Sequence, residues 1–249
     1  MTILNKVTLI SGAAKGIGAA IAKQIASEGH TVIINYQSSA DVAQNLAKEI
    51  NENGGKAYAY GCDISNESQV EELYKYIEQK VGKINQFVHC ASPNPVPETL
   101  LTSSWESYQL HLDVQLKGAY NCLKYGLPQM IEQNEGSVLF IGTIFTHGTP
   151  PVQQSPYIVA KAALEAYAKT IAVELGPKGI RVNCIAPGMT HTEMISNIPE
   201  KSKMLAKMNT PLRKLAEPED IAHTAAFLLS DKAKHISGET IKVCGGLVM

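Results

Sequence analysis

Val7-Thr8-Leu9-Ile10-Ser11 runs directly into Gly12-Ala13-Ala14-Lys15-Gly16-Ile17-Gly18, and the reading of this stretch decides the fold. The first five residues form a short apolar, β-branched run of the kind that fills a buried strand. From Gly18 to Glu28 the apolar residues recur at helical spacing. The glycines between these segments permit a tight turn and let an anionic group approach the backbone closely. The helix that follows offers unpaired N–H groups and the positive end of its dipole, a natural seat for a pyrophosphate. The spacing is G-x-x-x-G-x-G rather than the commoner G-x-G-x-x-G. Taken alone, the turn is also compatible with a Gly-rich connection that binds nothing.

The alternation continues along the chain. Strands are expected at Val7–Ser11, Thr31–Asn35, Ala57–Cys62, Gln86–Cys90, Ser137–Gly142, Arg181–Ala186 and Thr240–Val243. Helices are expected at Gly18–Glu28, Asp41–Asn53, Glu67–Val81, Trp105–Glu132, Tyr157–Leu175 and Pro218–Leu229. Strands that are apolar throughout, separated by amphipathic helices, predict an α/β fold. It would be a doubly wound, Rossmann-like parallel sheet of seven strands with helices on both faces, in a single domain spanning residues 1–249. Ser155-Pro156 reads as an N-cap and first-turn proline, and Gly176-Pro177 as a stop. Asp63 or Ser65 reads as the cap of the third helix. The least regular segment, Thr190 to Pro211, reads as a loop able to act as a substrate lid.

Composition narrows the function. A net charge of −1 argues against nucleic acid as a partner. No apolar run is long enough for a membrane span, and the N-terminal stretch lacks the features of a signal peptide. Cys62, Cys90, Cys122, Cys184 and Cys244 are far apart and the seven histidines are scattered, so neither disulfides nor a metal site is expected. These features suit a cytoplasmic protein.

Tyr157 and Lys161 lie four residues apart, on one face of a predicted helix and in its first turns. An ammonium beside a phenol favours the phenolate, so Lys161 is expected to lower the pKa of Tyr157, and the helix dipole acts in the same sense. A tyrosine tuned in this way can deliver a proton to a carbonyl oxygen near neutral pH. At the end of the second strand, Tyr36-Gln37-Ser38-Ser39 contains no carboxylate, and Asp41 falls inside the next helix. A carboxylate there would hold ribose hydroxyls and repel a 2′-phosphate. Lys15 with Ser38 and Ser39 would instead accept that phosphate, which favours NADP(H) over NAD(H).

In order and position, these motifs resemble the short-chain dehydrogenase/reductase family over the whole chain. The resemblance implies nicotinamide-cofactor contacts at Gly12, Lys15, Gly16, Ile17, Gly18, Tyr36, Ser38 and Ser39, and an adenine contact at Asp63-Ile64. It implies further contacts at Cys90, Ala91, Tyr157, Lys161, Pro187, Gly188, Thr190 and Thr192. It also implies a catalytic set of Tyr157, Lys161, Thr143 and Gln115. Three positions depart from the family pattern. Thr143 stands where the family has serine, Gln115 where it has an asparagine that organises a relay water, and His89-Cys90-Ala91-Ser92 where it has Asn-Asn-Ala-Gly. The Asn35-Tyr36 strand end, Thr192-Glu193-Met194 and the Gly-Gly-Leu-Val-Met terminus are nearest to bacterial 3-oxoacyl-[acyl-carrier-protein] reductases. The implied substrate is a small-molecule carbonyl compound, free or on an acyl carrier protein. The loop before the fifth strand lacks basic residues, and only Lys178 keeps a positive charge for docking an acidic carrier. Reduction or oxidation of another small ketone or alcohol stays open, as does a non-catalytic NADP(H)-binding protein. The long helices resemble those through which the family forms homodimers and homotetramers.

Overall fold

The computed structural model describes residues 5–249. Seven strands form one sheet: β1 (Val7–Ser11), β2 (Thr31–Tyr36), β3 (Lys56–Gly61), β4 (Gln86–His89), β5 (Gly136–Ile141), β6 (Ile180–Pro187) and β7 (Thr240–Val243). Their order is β3-β2-β1-β4-β5-β6-β7 and every neighbouring pair is parallel. The order reverses between β1 and β4, so a crevice opens at the carboxyl ends of these two strands.

Alternating side chains of each strand serve two separate cores. Leu9, Ile33, Phe87, Phe140 and Val182 pack with helices α3 (Glu67–Lys80), α5 (Gly118–Gln133) and α6 (Ser155–Leu175). Ile10, Ile34, Val88, Leu139 and Ile185 pack on the other face with α1 (Gly16–Ser27), α2 (Ala40–Glu52) and α8 (Pro218–Leu229). β1, β4 and β5 are buried on both faces, and the polar residues they carry are paired inside, Thr8 with Gln86 and Ser11 with His89. Each fully buried Leu, Ile or Phe side chain contributes about 1.5–3 kcal/mol by leaving water.

Several local expectations are corrected. The helix expected over Trp105–Glu132 is three pieces: α4 (Trp105–Leu112), a π-helical turn Asp113–Lys117, and α5. Gln154, not Ser155, is the N-cap residue of α6; the Ser155 hydroxyl instead meets the Tyr108 hydroxyl at 2.8 Å. Asn66 caps α3 by accepting from the Gln69 N–H, while the Asp63 carboxylate accepts from the N–H and hydroxyl of Ser65 and closes a turn. Between Thr190 and Pro211 the chain is not one loop: it forms a 3₁₀ turn, Glu193–Ile195, and helix α7 (Glu200–Asn209). No residue of α7 is buried, so it leaves no apolar stripe to be read. Among the described residues, no helix is long and apolar enough to cross a membrane.

Candidate active site

The phosphate-binding turn depends on backbone that only glycine supplies. Gly12 has φ +64° and Gly16 has φ +54°. A Cβ at Gly12 would lie 2.6 Å from the Cα of Ala91, and one at Gly18 would lie 2.5 Å from the Gly12 carbonyl oxygen. The turn is therefore pressed against β4 on one side and against the first turn of α1 on the other. Lys15 is the N-cap residue of α1 with an extended backbone; its side chain caps nothing, and the first helical turn contains no acid. The free N–H groups and the dipole of α1 are thus left for an external anion, which fits the phosphates of a dinucleotide. Gly12→Val should abolish cofactor binding by calorimetry and lower the melting temperature, because the clash falls on backbone that cannot rotate away.

The end of β1 is pinned to that of β4. Ser11 Oγ accepts from the N–H groups of Cys90 (3.2 Å) and Ala91 (3.3 Å) and pairs with His89 Nδ1 at 2.9 Å. Burial, reinforced by the charge of Lys161, pushes the His89 pKa down to about 3, so the imidazole stays neutral. His89-Cys90-Ala91 therefore holds the centre of the sheet together despite departing from the family residues. Burial keeps Cys90 a thiol, with its pKa pushed up to about 11.

A cleft of about 440 Å³ runs from this turn along the strand ends. Gly12, Lys15, Gly16, Ile17, Cys90, Ala91, Thr143, Tyr157, Lys161, Pro187, Gly188, Thr190 and Thr192 all line it. Thr192 folds over the turn: its Cγ2 would lie 3.1 Å from a Cβ at Gly16. Other expected residues lie elsewhere. Gly18 is buried beneath the turn, while Tyr36, Ser38, Ser39 and Asp63 border the end of β2 and the segment after β3. The side chain of Ile64 packs in the core close to Gly118, and its carbonyl accepts from Asn121, so only its main-chain N–H is free to face a ligand. Gln115 is fully buried behind the cleft on the π-helical turn.

At the deep end, Lys161 Nζ lies 5.8 Å from the centroid of the Tyr157 ring and donates to the Ile141 carbonyl at 2.6 Å. The expected lowering of the Tyr157 pKa is not found: burial pushes it up to about 12, although contact with the Thr143 hydroxyl pulls the other way. The reason is that desolvation penalises both partners, holding Lys161 below its ordinary value as well, while the ammonium donates to Ile141 rather than to the phenol. Tyr157 is thus fully protonated at neutral pH, the form that gives a proton away. Thr143 Oγ accepts from the Phe145 N–H (3.4 Å), which leaves its own hydroxyl proton available.

Sequence reading missed part of the cleft wall. Asn94, Pro95, Phe145 and Gln154 line it beside Tyr157, whereas Ile195 and Ile198, which also line it, fall within the segment expected as a lid. The four missed residues sit on connections after β4 and β5, where no periodicity points inward; the only available signal was their place after a strand's carboxyl end. His111 was also missed: the sequence places it only inside the helix expected over Trp105–Glu132.

A family model described as enoyl-(acyl carrier protein) reductase matches residues 12–248. The chain is 35% identical over 247 residues to the 3-oxoacyl-[acyl-carrier-protein] reductase of Staphylococcus epidermidis, covering 99% of this chain and 100% of that protein. It is 34% identical over 250 residues to the enzyme of the same name from Thermotoga maritima, covering 100% of both. Among solved structures, it resembles a 7α-hydroxysteroid dehydrogenase complexed with NADH and 7-oxoglycochenodeoxycholic acid. That match has a TM-score of 0.92 at 30% identity and covers 97% of this chain and 93% of the other. It also resembles the 3-oxoacyl-[acyl-carrier protein] reductase of Brucella melitensis, with a TM-score of 0.89, 28% identity, and coverage of 98% and 91%.

Proposed function

The chain belongs to the short-chain dehydrogenase/reductase family, and we propose that it is an NADPH-dependent reductase whose substrate is a 3-oxoacyl thioester. One observation carries this reading. Tyr157, Lys161 and Thr143 line the deep end of the same cleft whose other end is an uncapped helix N-terminus. When bound, the reduced nicotinamide supplies hydride to the carbonyl carbon. Thr143 donates a hydrogen bond to the carbonyl oxygen, where negative charge develops. Tyr157 transfers its phenolic proton to that oxygen. Lys161, already held below its ordinary pKa by burial, stabilises the phenolate left behind. Gln115 helps to restore the proton from behind the cleft. The segment 190–211 closes over the bound substrate as a lid.

The cofactor preference rests on charge. Lys15 is exposed and forms no salt bridge among the described residues, Ser38 is exposed and Ser39 half-buried, and no acid stands between the end of β2 and Asp41. A 2′-phosphate would find a cation there and no carboxylate to repel it. Lys15→Glu should raise the KM for NADPH by about 10–100-fold and leave that for NADH nearly unchanged, since a charge-assisted contact is worth about 1.5–3 kcal/mol. Equal changes for both cofactors would remove the assignment.

Lys178 precedes β6 and so lies at the amino ends of the strands, opposite the end that carries the cleft. A cytoplasmic homodimer or homotetramer is the expected assembly: Trp105, Tyr120, Val159 and Val173 of α4, α5 and α6 carry exposed apolar surface that a second copy would cover. A second reading, an isolated apolar ketone, is favoured by Phe145, Met194, Ile195 and Ile198 along the cleft. The test is consumption of NADPH, with NADH in parallel, against an acetoacetyl thioester and a panel of simple ketones. Turnover confined to the simple ketones would select the second reading.

A further inference from the structure

Next to the main cleft lies a recess of about 40 Å³, and the two share Asn94, Pro95, Gln154 and Tyr157. Its remaining polar wall includes His111, on the last turn of α4, and Glu98. The His111 ring stands edge-on to the Tyr157 ring, with centroids 5.9 Å apart and an interplanar angle of 77°. His111 is therefore nearly buried and adjacent to the group that gives up the proton.

The hydrogen bonds behind His111 fix its tautomer. Ser92 Oγ donates its proton to the Pro93 carbonyl at 3.0 Å, so towards Gln115 it can only accept. Gln115 must then turn its amide nitrogen to Ser92, and that same Nε2 lies 3.3 Å from Ser92 Oγ and 3.0 Å from His111 Nδ1. The opposite amide orientation would set two oxygen lone pairs against each other. With Nδ1 accepting, the ring proton of neutral His111 sits on Nε2. Nε2 has no hydrogen-bond partner among the described residues and is not sealed from solvent. Burial and the charge of Lys161 hold the His111 pKa below its ordinary value, against the pull of Glu98, so the neutral form prevails.

We propose that His111 Nε2–H is a specificity-determining donor for a second carbonyl oxygen of the substrate, while the reacting oxygen is held by Tyr157 and Thr143. The substrate class is a 3-oxo ester or thioester, in which the two oxygens lie on carbons separated by one methylene. A neutral N–H favours a neutral carbonyl acceptor. Glu98, whose Oε2 is buried without a hydrogen-bond partner among the described residues, disfavours a free carboxylate at the same place. This inference rests on the proposed ketone reduction and adds to it a residue and a substrate feature.

The test compares kcat/KM for an acetoacetyl thioester with that for a simple ketone of similar length, using NADPH. The proteins are wild type, His111→Phe, which keeps an aromatic edge against Tyr157, and His111→Asn, which keeps a donor. The ratio should fall about tenfold in the phenylalanine variant, the worth of one neutral hydrogen bond, and recover to within about threefold in the asparagine variant. In parallel, ¹⁵N NMR of the wild type should show His111 Nδ1 without a proton. A proportional fall for both substrates, or a protonated Nδ1, would overturn the inference and leave the reductase reading intact. Failure of the wild type on every ketone would overturn that reading, and this inference with it.

Discussion

Tyr157→Phe is expected to cost at least about a thousandfold in kcat while cofactor affinity stays within a few fold of wild type. The change removes one oxygen from a side chain that is 9% exposed and already stands against the aromatic edge of His111. Phenylalanine fills the same volume, so neither the turn at Gly12 nor the wall of the cleft is disturbed. What disappears is the proton donor, which no other group can replace. Thr143 retains a hydroxyl, but an aliphatic alcohol is a far weaker acid than a phenol, and Lys161 donates to Ile141. Burial holds Tyr157 near 12, so the wild type carries its proton throughout the neutral range, and reduction should not lose its acid as pH rises from 6 to 9. Single-turnover reduction with bound NADPH measures the loss directly; retained turnover would exclude Tyr157 as the acid.

Lys161→Met should separate function from stability. Lys161 is 2% exposed, and removing an ammonium from water is costly unless its partners compensate fully. Here it gains one hydrogen bond, to the Ile141 carbonyl. Methionine preserves the length and apolar stem and abolishes the desolvation cost, leaving one carbonyl unpaired at about 1–3 kcal/mol. The melting temperature should therefore change by no more than a few degrees, or rise, as expected when a residue is kept for chemistry at the expense of stability. Turnover should fall by about 10²–10⁴-fold because the phenolate loses its stabilising charge. Calorimetric melting and steady-state kinetics on one preparation test both halves. A collapse of stability at unchanged specific activity would make Lys161 a structural residue.

The strands were the most legible part of the chain. β1 and β7 lie where the pattern predicts, and the others differ by a residue at their ends; burial on both faces marks the central strands, while the part-exposed β3 and β7 are marked by short runs rich in aromatic or β-branched residues. The phosphate turn was legible because its glycines are required by backbone contact, as the Gly12–Ala91 approach shows. Three features were not. Helix α7 buries nothing and so carries no periodicity. The π-helical turn that brings Gln115 inward resembles ordinary helix in sequence. The effect of Lys161 on Tyr157 was misjudged because spacing along a helix reports proximity and not desolvation, and here desolvation is the larger influence. His111 escaped for a related reason: its significance comes from Ser92 and Pro93, which lie on a different connection.

Hydride transfer itself is best followed with NADPH carrying deuterium at both C4 positions of the nicotinamide. After incubation of the protein with this cofactor and an acetoacetyl thioester, the 3-hydroxy product should gain one mass unit, with deuterium on the carbinol carbon and none on the hydroxyl. Loss of reduced cofactor without deuterium in the product, or no product from any ketone while NADPH remains bound, would contradict carbonyl reduction at Tyr157.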